Sequence, residues 1–559
     1  MSGAPAVAPA AGSAIGPLPL VIGVAGHRFL EAGDLPLYRA RIGAFFSELR
    51  RRYPSTPLRV LSALAEGSDR LVAEVALAQG CELLVPLPMA PQEYQKDFPS
   101  SVTEFNDLLA RVPAENVFVL PAPPAAPAAT PQQQRDAQYL EVGVYVATQS
   151  HVLLALWDGV RNKAVAGTAE VVRFKLEGQI HSDDRALDAD DCGPVYRIHA
   201  PRAGSGGSAD VPPVWLYPRD SGEEVLHTVC SRIDRFNRDA LRIPVSQAQA
   251  ADASGLLPDI KDRPAAERRL GETFASADTL ARGYQRLTHT VLRVVIGLAV
   301  ALALTFEIYA EIMPERELPA IYLLIFTTIA ALYLWQQRLD AQGRYLDYRA
   351  LAEALRVQFY WRLAGLTDSA AASYLRKQLD ELRWIREALR GANALPPPRE
   401  ARADLVQRNW VAGQANYYRA RTTTLMVRIH RVERMSALCV GAGLVATAAL
   451  VVFWKRLETL DHERHWLVLI MGFAPIAAAL WEAYGERFGL RTQAHQYSRF
   501  AQIFGRAEAA IARLESTPDT AARGESERAL IGELGREALI ENGDWVLMLR
   551  DRPIVLPKG

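Results

Sequence analysis

Short apolar runs alternate with amphipathic stretches over the first two hundred residues. LVIGVAGH at 20–27, LRVLSAL at 58–64, ELLVPLP at 82–88, VFVL at 117–120, HVLLALWDG at 151–159 and VYRIHAPR at 195–202 predict six strands. Between them, Leu35–Tyr53, Ser68–Gln79, Ser100–Arg111, Arg135–Ser150 and Thr168–Leu176 carry helical patterns. The strands are apolar throughout instead of alternating, so both faces of the sheet are buried, which predicts a parallel sheet covered by helices on each side. Glu223–Leu241 predicts a closing helix, giving a domain over 20–243. Ala/Pro- and Gly/Ser-rich breaks at 122–131 and 203–213 predict surface loops, and 244–264 a linker.

The remainder changes character. Four segments, 294–310, 318–335, 437–454 and 466–481, are uncharged apart from Glu307. Each has 16 to 18 residues, just short of the ~20 that span a bilayer, and Trp, Tyr, Arg and Lys at their ends extend them into the interface. Core helices of a soluble bundle would keep one polar face, which these lack for several turns. Glu307 is the one acidic group within a span, near its outer end. Arg282, Arg286 and Arg293 precede the first span and Arg338, Arg344 and Arg349 follow the second. Arg428, Arg431 and Arg434 precede the third and Arg487 and Arg491 follow the fourth. The connecting stretch EIMPERE is acidic and KRLETLDHERH mixed. This bias predicts cytoplasmic N- and C-termini.

Each span pair, with its flanking helices, forms one module, 265–390 and 400–550, joined by a Pro-rich connection at 391–399 and followed by a tail at 551–559. Apolar stripes at Leu351, Leu355, Phe359 and Leu363 and at Phe500, Ile503, Phe504, Ala507, Ile511 and Leu514 predict that the two helices following the span pairs pack together below the membrane. The fold class expected is therefore α/β plus all-α membrane: a Rossmann-like parallel-sheet domain, then a four-helix transmembrane region with long cytoplasmic helices.

Charge sharpens this. Lys+Arg and Asp+Glu are 63 each, so no nucleic-acid partner and no highly charged disordered chain is expected. Mean hydropathy is −0.01, an average of charged helices and uncharged spans. Cys81, Cys192, Cys230 and Cys439 lack metal-binding or disulfide spacing. Residues 1–19, rich in Ala, Pro, Gly and Ser without a basic start, predict a disordered leader and not a signal peptide.

Candidate chemistry gathers at the predicted strand ends. After the first strand stand Gly26, His27 and Arg28: glycine admits a ligand to the backbone and arginine can fork onto phosphate. After the second come Glu66, Gly67, Ser68 and Asp69, with Ser68 or Asp69 capping the next helix and its N-terminal amides offered to an anion. Tyr94 follows the third and could stack on a base. Asp158 follows the fifth, then Gly167 and Thr168 open a helix with Glu170 inside it. Open α/β sheets bind ligands at these carboxyl ends. Phosphates would then sit on Gly26, Arg28, Ser68, Gly167 and Thr168, and sugars on Glu66, Asp69 and Glu170.

The series G-x-x-G-H-R, L-A-E-G-S-D-R-L-V-A-E, L-P-x-x-x-x-x-Y-x-x-D-F, W-D-G and G-T-A-E-V-V, over Leu20 to Arg202, resembles the SLOG superfamily, related to LOG phosphoribohydrolases and DprA proteins. From about Ala277 the chain resembles the SLATT group of bacterial membrane effectors, through Ala277-Asp278 with Ala281 and Tyr284-Gln285, YRALAEALRVQFYWRLAG at 348–365, Trp410 with Gln414 and Tyr417-Tyr418, and Gly535-Arg536-Glu537-Ala538-Leu539 with Glu541-Asn542 and Trp545. The resemblance implies an effector of antiphage defence in the bacterial inner membrane, whose cytoplasmic domain senses a nucleotide-derived messenger, cyclic or ADP-ribose-like, and opens a pore or disrupts the bilayer; no cofactor is expected, and a homo-oligomer is expected because four spans give too few walls for a wide pore. LOG enzymes carry P-G-G-x-G-T-x-x-E. Here Ala164-Val165-Ala166 precedes Gly167-Thr168 and Glu170 comes one place early, so no catalytic residue is assigned. A membrane-tethered nucleotide hydrolase and a constitutive ion transporter with a regulatory nucleotide domain are the alternatives.

Overall fold

A computed structural model describes residues 16–123, 130–160, 167–178, 192–204, 207–219, 221–244, 246–247, 256–373, 379–396, 398, 401–458, 460–514 and 520–550. Most of the expected leader, the middle of the 122–131 loop, residues 164–166 before Gly167, and the tail at 551–559 lie outside these residues. The chain forms two compact units. One holds residues 1–280, 347–403 and 531–544, the other 281–346, 404–530 and 545–559.

The first unit contains the sheet. Its elements run β1 (Leu20–Gly26), α1 (Leu35–Arg52), β2 (Leu58–Leu61), α2 (Ser68–Ala78), β3 (Glu82–Leu87), α3 (Val102–Ala110), β4 (Val117–Val119), α4 (Pro131–Gln149), β5 (Val152–Leu156), α5 (Thr168–Glu177), β6 (Val195–Ile198), β7 (Val214–Leu216) and α6 (Glu223–Ala240). The strand order is β4-β3-β2-β1-β5-β6-β7. All pairings are parallel except β6 with β7, where Tyr196 faces Trp215. Alternate residues of β1 explain its unbroken apolar run. Leu20, Ile22 and Val24 pack among Tyr38, Ile42, Phe46 and Val72 on one face, while Val21 and Ala25 pack among Val142, Val146, Val171 and Val172 on the other. The chain winds outward from β1 to β4, and α4 then returns it to β5 beside β1. Right-handed crossovers in opposite directions place α1–α3 and α4–α5 on opposite faces and make β1/β5 the switch point.

Three local features differ from the sequence-based expectation. Residues 16–19 of the expected leader are packed: Leu18 is fully buried, and Asn237 accepts from its N–H at 2.8 Å and donates to its carbonyl at 2.9 Å. Helix α4 starts four residues before Arg135, because Thr130 and Gln133 form a reciprocal capping box ahead of Pro131. Strand β7 is additional. Three residues after a Gly/Pro-rich loop carry too little pattern to register, and the strand is held by Trp215 against Tyr196, 5.0 Å between ring centroids.

The later segments of this unit are α9 (Ala341–Leu363, from Asp347 onward) and α10 (Leu379–Asn393). Leu351, Leu355, Phe359 and Leu363 are all essentially fully buried. Tyr348 donates to Asp239 at 2.7 Å and Trp361 to the Ile531 carbonyl at 3.1 Å.

The second unit contains α7 (Ala265–Glu311) from Ala281 onward, α8 (Glu317–Leu339), α11 (Gly413–Val452), α12 (Asp461–Arg487) and α13 (Leu490–Leu514). Four helices are long and apolar enough to cross a membrane, and only 6% to 17% of each apolar window is buried within the chain. A soluble bundle would cover such surface, so these are membrane-type helices. α11 meets α12 closely at Gly443, where an added methyl group would lie 3.2 Å from the Ala474 side chain. The α13 stripe packs on α11, with Tyr418 stacked on Phe500 at 4.8 Å. The α9 stripe is buried, and the α13 stripe packs on α11 within the second unit. Both are equally apolar in pattern, and pattern carries no partner identity.

Candidate functional site

The switch point is built by glycine and hydroxyl contacts. The His27 amide donates to the Leu156 carbonyl at 3.1 Å, continuing the β1–β5 ladder one residue further. Gly26 accepts no side chain, since a methyl there would meet the Ser68 Cβ at 2.4 Å. Gly67 has φ +88°, and a methyl on it would lie 2.0 Å from the Arg28 carbonyl oxygen. This brings the start of α2 directly against the turn after β1. The Ser68 amide and hydroxyl both donate to the His27 carbonyl, at 3.1 and 2.8 Å. From α5, the Thr168 hydroxyl donates to the Gly26 carbonyl at 2.8 Å. Two successive carbonyls, of Gly26 at the end of β1 and of His27 just after it, therefore anchor two helices. The hydroxyls expected to meet phosphate are engaged in this anchoring, which leaves backbone amides and arginines as the anion donors of the cleft.

Charged groups ring the mouth. Arg28, with 47% of its side chain exposed, donates to Glu66 at 2.8 Å and to the Asp97 carbonyl. Glu66 also accepts from Ser101 at 2.7 Å. Its burial favours protonation, but the Ser101 and Arg28 hydrogen bonds outweigh this and hold its carboxyl below the usual range. Asp97 in turn accepts from Arg135 at 2.7 Å and from the Tyr139 hydroxyl. On the other side, the Asp158 amide donates to His27 Nε2 at 3.2 Å, so that nitrogen is unprotonated. Burial lowers the His27 pKa, and the Asp158 carboxylate 3.5 Å away pulls it the other way without prevailing. Asp158 accepts from Arg202 at 3.1 Å and from the Val160 amide at 2.8 Å. Arg202 is 48% exposed.

Gly26, His27, Arg28, Glu66, Gly67, Ser68, Asp158 and Thr168, next to Gly167, thus form one cluster at the ends of β1, β2 and β5. Three candidates lie outside it. Asp69 is buried, and desolvation raises its pKa to about 7 against the pull of the Ala65 and Ala63 amides, so it faces the protein interior. Tyr94 is buried in an aromatic cluster, edge-on to Phe98 at 5.0 Å and Phe105 at 5.8 Å. Glu170 is held by Arg173 of its own helix at 2.6 Å, and that hydrogen bond keeps it ionised.

No family model, curated protein or solved structure matches the chain. The chemistry of the cleft therefore follows from its own geometry. The sequence pattern does not assign Ser101, Asp97, Arg135, Tyr139 or Arg202 to it. Asp97 stands within the Tyr-x-x-Asp-Phe stretch, and Arg202 closes the sixth predicted strand run, so both carry the signal of a strand-end position. Arg135 and Tyr139 sit inside an amphipathic helix, where a surface charge and an apolar stripe account for them equally well. Among the described residues no group of three His, Cys, Asp or Glu side chains is placed to hold a metal ion. The strand ends offer two half-exposed guanidinium groups, an imidazole whose basicity burial lowers, and the Glu66 carboxylate. That set suits a ligand bearing both anionic groups and hydroxyls.

Proposed function

We propose that the protein is a SLOG/SLATT-type membrane effector: a cytoplasmic Rossmann-like domain binds a nucleotide-derived messenger and thereby gates a pore, or disrupts the bilayer, in a bacterial inner membrane. Both termini lie in the cytoplasm and the active form is a homo-oligomer, because four spans enclose too narrow a path alone. The observation that carries the reading is the group of side chains at the ends of β1, β2 and β5, where Arg28 and Arg202 stand half-exposed beside the Glu66 and Asp158 carboxylates. A nucleotide's phosphate would take the arginines and the Gly167–Thr168 amides, and its ribose the Glu66 rim. Antiphage defence follows from the family resemblance.

Full-length protein in liposomes, challenged with a panel of cyclic and ADP-ribose-type nucleotides, tests this. One of them should bind and release an entrapped dye. Arg28→Ala with Arg202→Ala should weaken binding by more than about tenfold, since each charge-assisted hydrogen bond is worth about 1.5–3 kcal/mol. Leakage by the double variant equal to the parent's overturns the pocket. Turnover of a nucleotide without leakage replaces the effector reading with that of a membrane-tethered hydrolase.

A further inference from the structure

Glu307 lies in the apolar part of α7, where its side chain leans toward the helix N-terminus and so toward the middle of the span. It reaches α12. A methyl group on Gly472 would sit 2.9 Å from either carboxylate oxygen, so the carboxylate rests directly on bare backbone. Gly472 is six residues inside Trp466, about 9 Å along the helix from the start of the apolar segment. Glu307 is therefore not turned to the interface, where an end-of-span glutamate would normally reach.

Among the described residues the carboxylate makes no hydrogen bond and no ion pair. The other three apolar segments contain no Asp, Glu, Lys, Arg or His, and the remaining ionisable groups in the four are Tyr309, Tyr322, Tyr333 and Cys439. Beyond the apolar stretches the nearest charged or titratable groups in sequence are Glu311 on α7 and, on α12, His465 and Arg464 before its apolar segment and Glu482 after it. The hydroxyls of Thr305, Thr327, Thr328 and Thr447 all donate to carbonyls of their own helices. An unpaired carboxylate is costly in an apolar layer and persists only when a cation neutralises it. The adjoining backbone supplies a second oxygen: Pro475, inside α12, has no N–H and so deprives the Met471 carbonyl of its usual donor. Met471 immediately precedes Gly472.

We propose that Glu307, seated on Gly472 beside the Met471 carbonyl, forms a membrane-embedded site for a small monovalent cation, either a proton or an alkali ion. The site is independent of the nucleotide reading and stands whether or not a messenger gates the protein.

Full-length protein in liposomes is treated with dicyclohexylcarbodiimide, which partitions into bilayers, and separately with a water-soluble carbodiimide; modified peptides are quantified by mass spectrometry. The lipid-soluble reagent should modify Glu307 at least about tenfold faster than Glu311, Glu315 and Glu317, and the water-soluble reagent should show the reverse order. Slowing by sodium or potassium at constant pH identifies an alkali ion, and slowing only by a rise in pH identifies a proton. Gly472→Ala, which removes the seat and keeps the carboxyl, should change the Glu307 rate severalfold. A Glu307 that the lipid-soluble reagent leaves unmodified, one that both reagents label alike, a rate indifferent to salt and pH, or a rate unchanged by Gly472→Ala each overturns the proposal. Glu307→Gln identifies the labelled peptide.

Discussion

Gly67→Ala puts the architecture of the cleft to its sharpest test. The new methyl would lie 2.0 Å from the Arg28 carbonyl oxygen, 2.6 Å from its carbon and 2.8 Å from the His27 oxygen. All three are backbone atoms, so no side-chain rotation relieves the clash. At φ +88° and ψ −115° an L-residue also carries roughly 1–3 kcal/mol of strain. The turn after β1 has to move away from α2, which breaks both Ser68 hydrogen bonds to His27, at about 1 kcal/mol each. The sum is roughly 3–5 kcal/mol of local destabilisation. Gly80→Ala is the control. It shares a positive φ, +70°, but nothing stands within 4 Å of its added methyl, so its cost is about 1 kcal/mol of backbone strain. Both substitutions restrict the unfolded chain alike, so their difference isolates the clash. Hydrogen-exchange mass spectrometry on full-length protein in detergent reads the result. Peptides covering 20–35 and 62–75 should exchange more than about a hundredfold faster in Gly67→Ala than in the parent, at about 1.4 kcal/mol per tenfold. Exchange in Gly67→Ala equal to that in Gly80→Ala would refute the reasoning.

Three further outcomes follow from other contacts. His151 is buried with Nδ1 accepting from the Val21 amide at 2.8 Å and Nε2 against the Glu387 carbonyl at 2.8 Å, and burial lowers its pKa to about 4. The unfolded chain therefore binds the extra proton between pH 6.5 and about 4. The stability His151 contributes is complete above pH 6.5 and lost as pH falls through that window, by up to about 3 kcal/mol; thermal unfolding against pH should show this slope, and His151→Asn should flatten it. Ser68→Ala removes an anchor and no phosphate ligand, so it should cost about 1 kcal/mol in stability while weakening nucleotide binding far less than Arg28→Ala, as calorimetric titration will tell. Gly535→Ala places a methyl 2.1 Å from Nε1 of the fully buried Trp361, so overpacking should lower stability by about 1–3 kcal/mol in a denaturant midpoint assay.

The sheet is legible in the sequence because its strands are buried on both faces, and an unbroken run such as LVIGVAG fits neither a half-exposed strand nor a loop. The membrane helices are legible for the same reason on a larger scale. Strand β7 is not, because Val214–Leu216 is three residues long and carries no repeat, and it is held by its ladder to β6 and by Trp215 against Tyr196. In the cleft, the sequence placed Gly26, Arg28 and Gly67 at strand ends correctly, since turn glycines announce close approach. It could not tell Ser68 the anchor from Ser68 the ligand, because both roles need a hydroxyl at the same position. Tyr94 and Asp69 were drawn toward the site by chain proximity. Packing decides whether such a side chain points outward or into the core: Phe98 and Phe105 enclose Tyr94, and the Ala65 and Ala63 amides take the Asp69 carboxyl.

The two adjacent carbonyls where β1 ends, that of His27 holding α2 through Ser68 and that of Gly26 holding α5 through Thr168, have a mechanical meaning. Helices from opposite faces of the sheet hang on neighbouring peptide planes of a single strand end. A twist of that short stretch of backbone loads one helix as it slackens the other. A displacement of residues 26–28 would therefore act on both helix layers through one pivot.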